Sequence, residues 1–104
     1  MEAMLRALSD GTRRGILSLV LKKELPAGEI AKHFQMSRPA VSQHLRVLLE
    51  SDLIRLRRKG TSRLYQGNRE AIVKLRTELT TLWEGGLSRL KAAAESAKAS
   101  QKHT

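Results

Sequence analysis

Cysteine is absent from the 104-residue chain. That excludes disulfides, thiolate zinc sites, iron–sulfur ligation and cysteine nucleophiles, and it fits a reducing compartment. Aromatic residues are three, Phe34, Tyr65 and Trp83, so any core is built from Leu, Ile, Val and Ala. Too few aromatics are interleaved with the basic residues to stack unpaired bases, which disfavours RNA as a ligand. Long apolar runs are missing as well. Ile16 to Leu21 is interrupted by Ser18 and is far too short to span a bilayer, and Glu2 stands where a signal peptide has its basic region. The expectation is a soluble, cytoplasmic protein with no membrane partner. Gly-rich phosphate loops, His-Glu-x-x-His and Gly-x-Ser-x-Gly are also lacking, so the chain does not read as an enzyme.

What is present is basic. Lys and Arg number 20 against 10 Asp and Glu, a formal net charge of +10, and 40% of the residues are apolar. The apolar fraction suits a folded domain and is too high for a disordered tail. The length fits one domain, and a monomer of this size hides only about 60–65% of its unfolded surface, which favours a dimer that adds core. The charge is uneven: residues 1–52 carry 8 basic and 6 acidic side chains, and residues 53–104 carry 12 and 4. Arg55, Arg57, Arg58, Lys59, Arg63 and Arg69 fall within 53–69 with no acid among them. Such a cluster attracts polyanions, most simply nucleic acid phosphate.

Periodicity predicts the elements. Met4, Leu5 and Leu8 form a short amphipathic helix. Ser9 or Asp10 caps a second helix carrying Ile16, Leu17, Val20 and Leu21. Pro26-Ala27-Gly28-Glu29 opens a third, with Ile30, Ala31 and Phe34 on one face. Gln35-Met36 breaks it, and Ser37 caps a fourth, in which Pro39 is tolerated because first-turn N–H groups have no helical partner. Val41, Leu45 and Leu48 form its apolar face. From Ile54 the pattern alternates apolar and basic, as in a half-buried strand. Lys59-Gly60-Thr61-Ser62 turns it, and Arg63-Leu64-Tyr65-Gln66 returns. Asn68 caps a long last helix with two stripes, Ile72, Leu75, Leu79, Leu82 and then Trp83, Leu87, Leu90, Ala94. The domain is expected over residues 1–94, with 95–104 as a disordered tail.

This is mainly α with a small β-hairpin, in the order α-α-α-α-β-β-α: a winged helix-turn-helix. With Val41, Leu45 and Leu48 facing inward, a 100° rotation per residue turns Pro39, Ser42, Gln43, Arg46 and Glu50 outward, and Arg38 can reach out from the first turn. Arg pairs with guanine and Gln with adenine in the major groove, so the face reads as a base-reading set for double-stranded DNA. The expected DNA contacts are Ser37, Arg38, Pro39, Ser42, Gln43, His44 and Arg46 on the helix. Arg57, Arg58, Lys59, Thr61 and Arg63 are expected to contact DNA from the wing. The double Leu stripe of the last helix is too wide for one small core and calls for a second copy. The rival reading is a sequence-neutral architectural DNA-binding protein that uses the wing and not the helix face.

Leu8-Ser9-Asp10-Gly11-Thr12-Arg13-Arg14-Gly15-Ile16-Leu17 resembles the opening of ArsR-type (arsenic-repressor-type) bacterial regulators. Glu29-Ile30-Ala31 and the segment Met36 to Leu48, with its Ser42-Gln43-His44-Leu45 string, resemble that family's recognition segment. The wing from Arg57 to Tyr65, and Asn68, continue the likeness, which covers residues 4–94. The resemblance implies a homodimeric repressor joined through its first and last helices, at Met4, Leu5, Leu8, Leu75, Leu79, Leu82, Trp83 and Leu87. Metal-sensing members use Cys near the start of the third helix, or His and carboxylates on the last. Here the third helix opens Leu25-Pro26-Ala27-Gly28 and the last offers only Glu, so the chain looks like a Cys-free, SdpR-like branch, with no metal and no cofactor. Gly67 replaces a customary apolar residue, which implies a looser junction between wing and last helix.

Four further residue types are weighed separately. His33, His44 and His103 are too dispersed for a local metal site, and His44 lies at the border of the apolar face. Trp83 reads as dimer core, with a ligand-stacking ring as the alternative; Gly85-Gly86 reads as a packing device, with an effector hinge as the alternative; Arg13 and Arg14 read as surface charges that can also contact phosphate.

Overall fold

The computed structural model describes residues 1–102, and side chains over residues 1–97. Residues 103–104, and with them His103, lie outside the described residues. The element order is α1 (Glu2–Ala7), α2 (Gly11–Lys22), α3 (Ala27–Phe34), α4 (Arg38–Glu50), β1 (Ile54–Lys59), β2 (Ser62–Gly67) and α5 (Arg69–Lys102). No described helix is long and apolar enough to cross a membrane. Two compact units result, Met1–Ile72 and Val73–Thr104.

In the first unit local chemistry sets the helix ends. Asp10 caps α2, its carboxylate accepting from the Arg13 N–H at 3.2 Å. Ser37 Oγ accepts from the Ala40 N–H at 3.3 Å and caps α4, with Pro39 in the first turn. Such caps are worth about 1 kcal/mol each. α3 ends at Gln35 and the turn after α4 at Asp52, both in the left-handed region, with φ of 54° and 61°. The Met36 and Leu53 N–H groups then bond back to the Ala31 and Leu48 carbonyls, closing both helices.

The core joins Ile16, Leu17 and Val20 of α2, Ile30 and Ala31 of α3, Val41, Leu45 and Leu48 of α4, and Leu53 and Ile54 at the base of the hairpin. Ala7 brings α1 onto this cluster and is fully buried. Replacing one of the large aliphatic residues by Ala would cost about 2–5 kcal/mol. Arg13 and Arg14 are not the plain surface charges expected. Arg13 Nε donates to the Ala7 carbonyl at 2.7 Å, and Arg14 Nη1 to the Leu8 carbonyl at 2.7 Å. They satisfy the carbonyl end of α1, where cations also complement the helix dipole.

The hairpin pairs Ile54 with Gly67 through Lys59 with Ser62. Its two-residue loop has Gly60 first, with φ of 62°, the place where a type II′ turn requires glycine. Only Ile54 of β1 is buried, and Leu56 is 39% exposed. The alternating pattern therefore marks a hairpin that projects beyond its base, instead of the half-buried strand expected. A third extended partner was not anticipated: Leu25 exchanges both backbone hydrogen bonds with Tyr65, at 3.0 and 2.9 Å.

The returning strand lies close against α2. A Cβ on Gly67 would lie 2.6 Å from Leu21 Cγ and 3.1 Å from Leu21 Cα, so glycine is what lets β2 press on α2. Asn68 then does two jobs. Its Oδ1 accepts from the Ala71 N–H at 3.3 Å, capping α5, and its Nδ2 donates to the Asp52 carbonyl at 2.9 Å.

The second unit is helical from Val73 to Lys102. Leu75 is buried and Leu79 half-buried, while Leu82, Trp83, Leu87 and Leu90 are exposed. Open space surrounds the Cβ positions of Gly85 and Gly86.

Candidate nucleic-acid interface

The burial of Val41, Leu45 and Leu48 fixes the rotation of α4 and turns Arg38, Ser42, Gln43 and Arg46 to solvent. This is the face expected from the helical angle. Arg46 sits 3.8 Å from Glu50, one turn on, an exposed pair of small energetic weight. Pro39 is exposed, and Ser37 spends its hydroxyl on the cap. His44 separates from the others. Half-buried, it turns toward α2, with Nδ1 3.5 Å from the Asp10 carboxylate.

One concavity of about 610 Å³ brings helix and wing together. Arg38 and Ser42 of α4, Lys32 of α3, and Thr61 and Arg63 of the hairpin line it. Gly28 forms its floor: a Cβ there would lie 3.2 Å from Arg38 Nη1, so the missing side chain lets the guanidinium settle against the start of α3. Gln43 and Arg46 lie outside this hollow, further along the outer face of the helix.

Strand alternation divides the hairpin's charges. Leu56 and Arg58 share a face with their partners Tyr65 and Arg63, the face that lines the hollow. Arg55, Arg57 and Lys59 project from the other. There Arg55 Nη2 lies 3.5 Å from Glu70, and Arg57 grips Glu24 with two nitrogens, Nε to Oε2 at 3.1 Å and Nη2 to Oε1. Arg69 is also engaged, donating to the Leu21 carbonyl at 2.7 Å. Among the described residues Arg58, Lys59 and Arg63 enter no ion pair. The hydrogen bonds from Arg57 hold the Glu24 carboxyl below its ordinary value. The charges of Arg57 and Lys59 add to this, against a desolvation that pushes the other way. Glu24, Gly28 and Tyr65 belong to the site and were not singled out by sequence, since each acts through a partner distant along the chain.

The proposed dimer residues fall into two groups. Met4 and Leu8 pack against their own core, Leu75 is buried and Leu79 half-buried in the single chain. Leu5, Leu82, Trp83 and Leu87 remain exposed, Trp83 by 67%. Among the described residues no three His, Asp or Glu gather as a metal ion would need.

Residues 10–55 match the family model described as "Bacterial regulatory protein, arsR family". The chain is 43% identical over 83 residues to the HTH-type transcriptional regulator Rv2034 of Mycobacterium tuberculosis, covering 80% of this chain and 78% of that protein. It is 41% identical over 68 residues to the transcriptional repressor SdpR of Bacillus subtilis, covering 65% and 76%. Among solved structures, an ArsR-like transcriptional regulator from Rhodococcus sp. RHA1 superposes with a TM-score of 0.80 at 26% identity, over 88% of this chain and 86% of that one. The homodimeric winged helix-turn-helix DNA-binding domain of Mb0332 from Mycobacterium bovis gives 0.66 at 26% identity, over 80% and 77%.

Proposed function

Because the chain belongs to the ArsR family of bacterial regulatory proteins, winged helix-turn-helix transcriptional regulators that bind DNA and are not enzymes, we propose that it is a sequence-specific, homodimeric repressor of an inverted-repeat operator. The observation that carries this is the outer face of α4. Arg38, Ser42, Gln43 and Arg46 are exposed on a helix whose inner face is locked, and Arg38 and Ser42 share a hollow with Thr61 and Arg63 of the wing. Gln43 and Arg46 read base edges in the major groove, Arg38 and Ser42 the adjacent edges or phosphates, and the wing tip the flanking backbone.

Dimerisation rests on the exposed row Leu82, Trp83, Leu87 and Leu90, an apolar surface larger than isolated apolar side chains account for. Mb0332, similar in fold, is homodimeric. A two-fold dimer reads two half-sites of opposite orientation. With no cysteine in the chain, the SdpR-like assignment makes release of DNA independent of thiolate-bound metal. DNA as ligand puts its work in the cytoplasm.

Selection of bound sequences from a random duplex pool tests the reading. An inverted repeat, bound at least a thousandfold more tightly than scrambled duplex at the same salt, is the expected result. Equal affinity for every duplex would favour the architectural reading instead.

A further inference from the structure

The six cations of segment 53–69 are not equivalent. On one face of the hairpin Arg55 meets Glu70 and Arg57 meets Glu24. The face that lines the hollow, together with the tip, keeps Arg58, Lys59 and Arg63 unpaired among the described residues. Glu24 stands beside Leu25, whose backbone bonds to Tyr65 on one edge of β2. Arg57 belongs to β1, on the other edge, opposite Leu64. The carboxylate thus reaches across the returning strand and clamps the sheet from its far side. A bidentate guanidinium–carboxylate pair fixes orientation as well as distance.

We propose that Glu24 is a specificity-determining residue for DNA: by pairing with Arg57 it withdraws that cation from the phosphate-binding set. This rests on the DNA-binding reading above and revises the sequence expectation that Arg57 is a contact. A wing with all its cations free would bind any duplex more tightly. Removing Arg57 from the count lowers sequence-neutral binding and leaves the base-reading helix a larger share of the total.

The experiment measures affinity for operator and scrambled duplex over a salt series with wild type, Glu24→Gln, Arg57→Gln and the double variant. Each phosphate contact contributes about 0.9 to the slope of log affinity against log salt, so one arginine per protomer is worth about two units in a dimer. Glu24→Gln frees Arg57: scrambled binding tightens, the slope steepens by about two units, and the operator-to-scrambled ratio falls. Arg57→Gln leaves the slope at its wild-type value, and the double variant returns to it. A merely structural role for Glu24 would not produce that steepening and its reversal. If Arg57→Gln alone flattened the slope by two units, Arg57 would be a phosphate contact and the proposal would be wrong. An unchanged slope in Glu24→Gln would overturn it equally. Should these slopes appear without any preferred sequence, the withdrawal of Arg57 by Glu24 stands, and the sequence-specific reading falls together with the specificity role of Glu24.

Discussion

Replacing Gly67 by Ala probes the close packing of the wing on α2. The backbone at Gly67 is not in the left-handed region, since Gly60 alone among the glycines has positive φ, so the substitution is sterically legal for the residue itself. In the unfolded chain it is favourable by about 0.4–1 kcal/mol, because Ala has less freedom to lose. Against this, the new methyl would lie 2.6 Å from Leu21 Cγ and 3.1 Å from Leu21 Cα. The side chain can rotate; the Cα moves only with its helix. Overpacking of this kind costs about 1–3 kcal/mol, leaving a net loss of roughly 1–2 kcal/mol and a fall in Tm of roughly 5–15 °C for a domain this small. Urea and thermal unfolding at matched protein concentration measure it, since dimerisation makes apparent stability concentration-dependent. In the Gly67→Ala background a further Leu21→Ala should cost less than it does in the wild type, because it removes the clash. A Gly67→Ala protein as stable as wild type, with unchanged denaturant dependence, would refute the close contact.

Gln43→Ala should cost about 1–3 kcal/mol on operator and far less on scrambled duplex, whereas Lys59→Ala should weaken both alike and flatten the salt slope; equal losses on both duplexes in both variants would remove α4 as the reader. Trp83→Asp, at a position 67% exposed in the single chain, should leave the first unit folded and give monomers by analytical ultracentrifugation, with tight operator binding lost. The Glu24 carboxyl, lowered from its ordinary 4.5 chiefly by the Arg57 hydrogen bonds, contributes stability that is complete above that value and lost as pH falls through its depressed one. The stability difference between wild type and Glu24→Gln should therefore be flat across neutral pH and shrink toward zero in acid, and a difference that grew on acidification would contradict the pairing.

Much of the candidate site is legible because the exposed face of α4 depends on neighbours within one turn. Val41, Leu45 and Leu48 reveal the inner face of α4 by spacing alone, and the outer face follows by rotation. The caps Asp10, Ser37 and Asn68 act over three residues and are equally local. What escapes is whatever needs a distant partner. Arg13 and Arg14 look like solvent charges because their acceptors, six residues back at the end of α1, come beside them only once the α1–α2 turn has formed. Leu56 alternates like a half-buried strand residue but sits where the hairpin has outrun the body. Gly67 gives no sign in the sequence of its close contact with α2, because the meaning of a missing side chain there depends on Leu21, far away in the chain. The Glu24–Arg57 pair bridges a separation of 33 residues, and no periodicity foretells it.

The bridge between Leu25 and Tyr65 bears on the order in which the molecule can assemble. Between its two ends lie α3, α4 and β1, so two backbone hydrogen bonds fasten a loop of about 40 residues, whose closure costs on the order of 3 kcal/mol in chain entropy. No covalent crosslink pre-closes that loop in a chain without cysteine. Its closure must be carried by the packing of the helices inside it, with the Leu25–Tyr65 strand contact following their collapse. The hairpin itself pairs locally, so only its tie to Leu25 waits on that collapse, and hydrogen exchange at the Leu25 and Tyr65 amides faster than at the core amides of α4 is the expected sign.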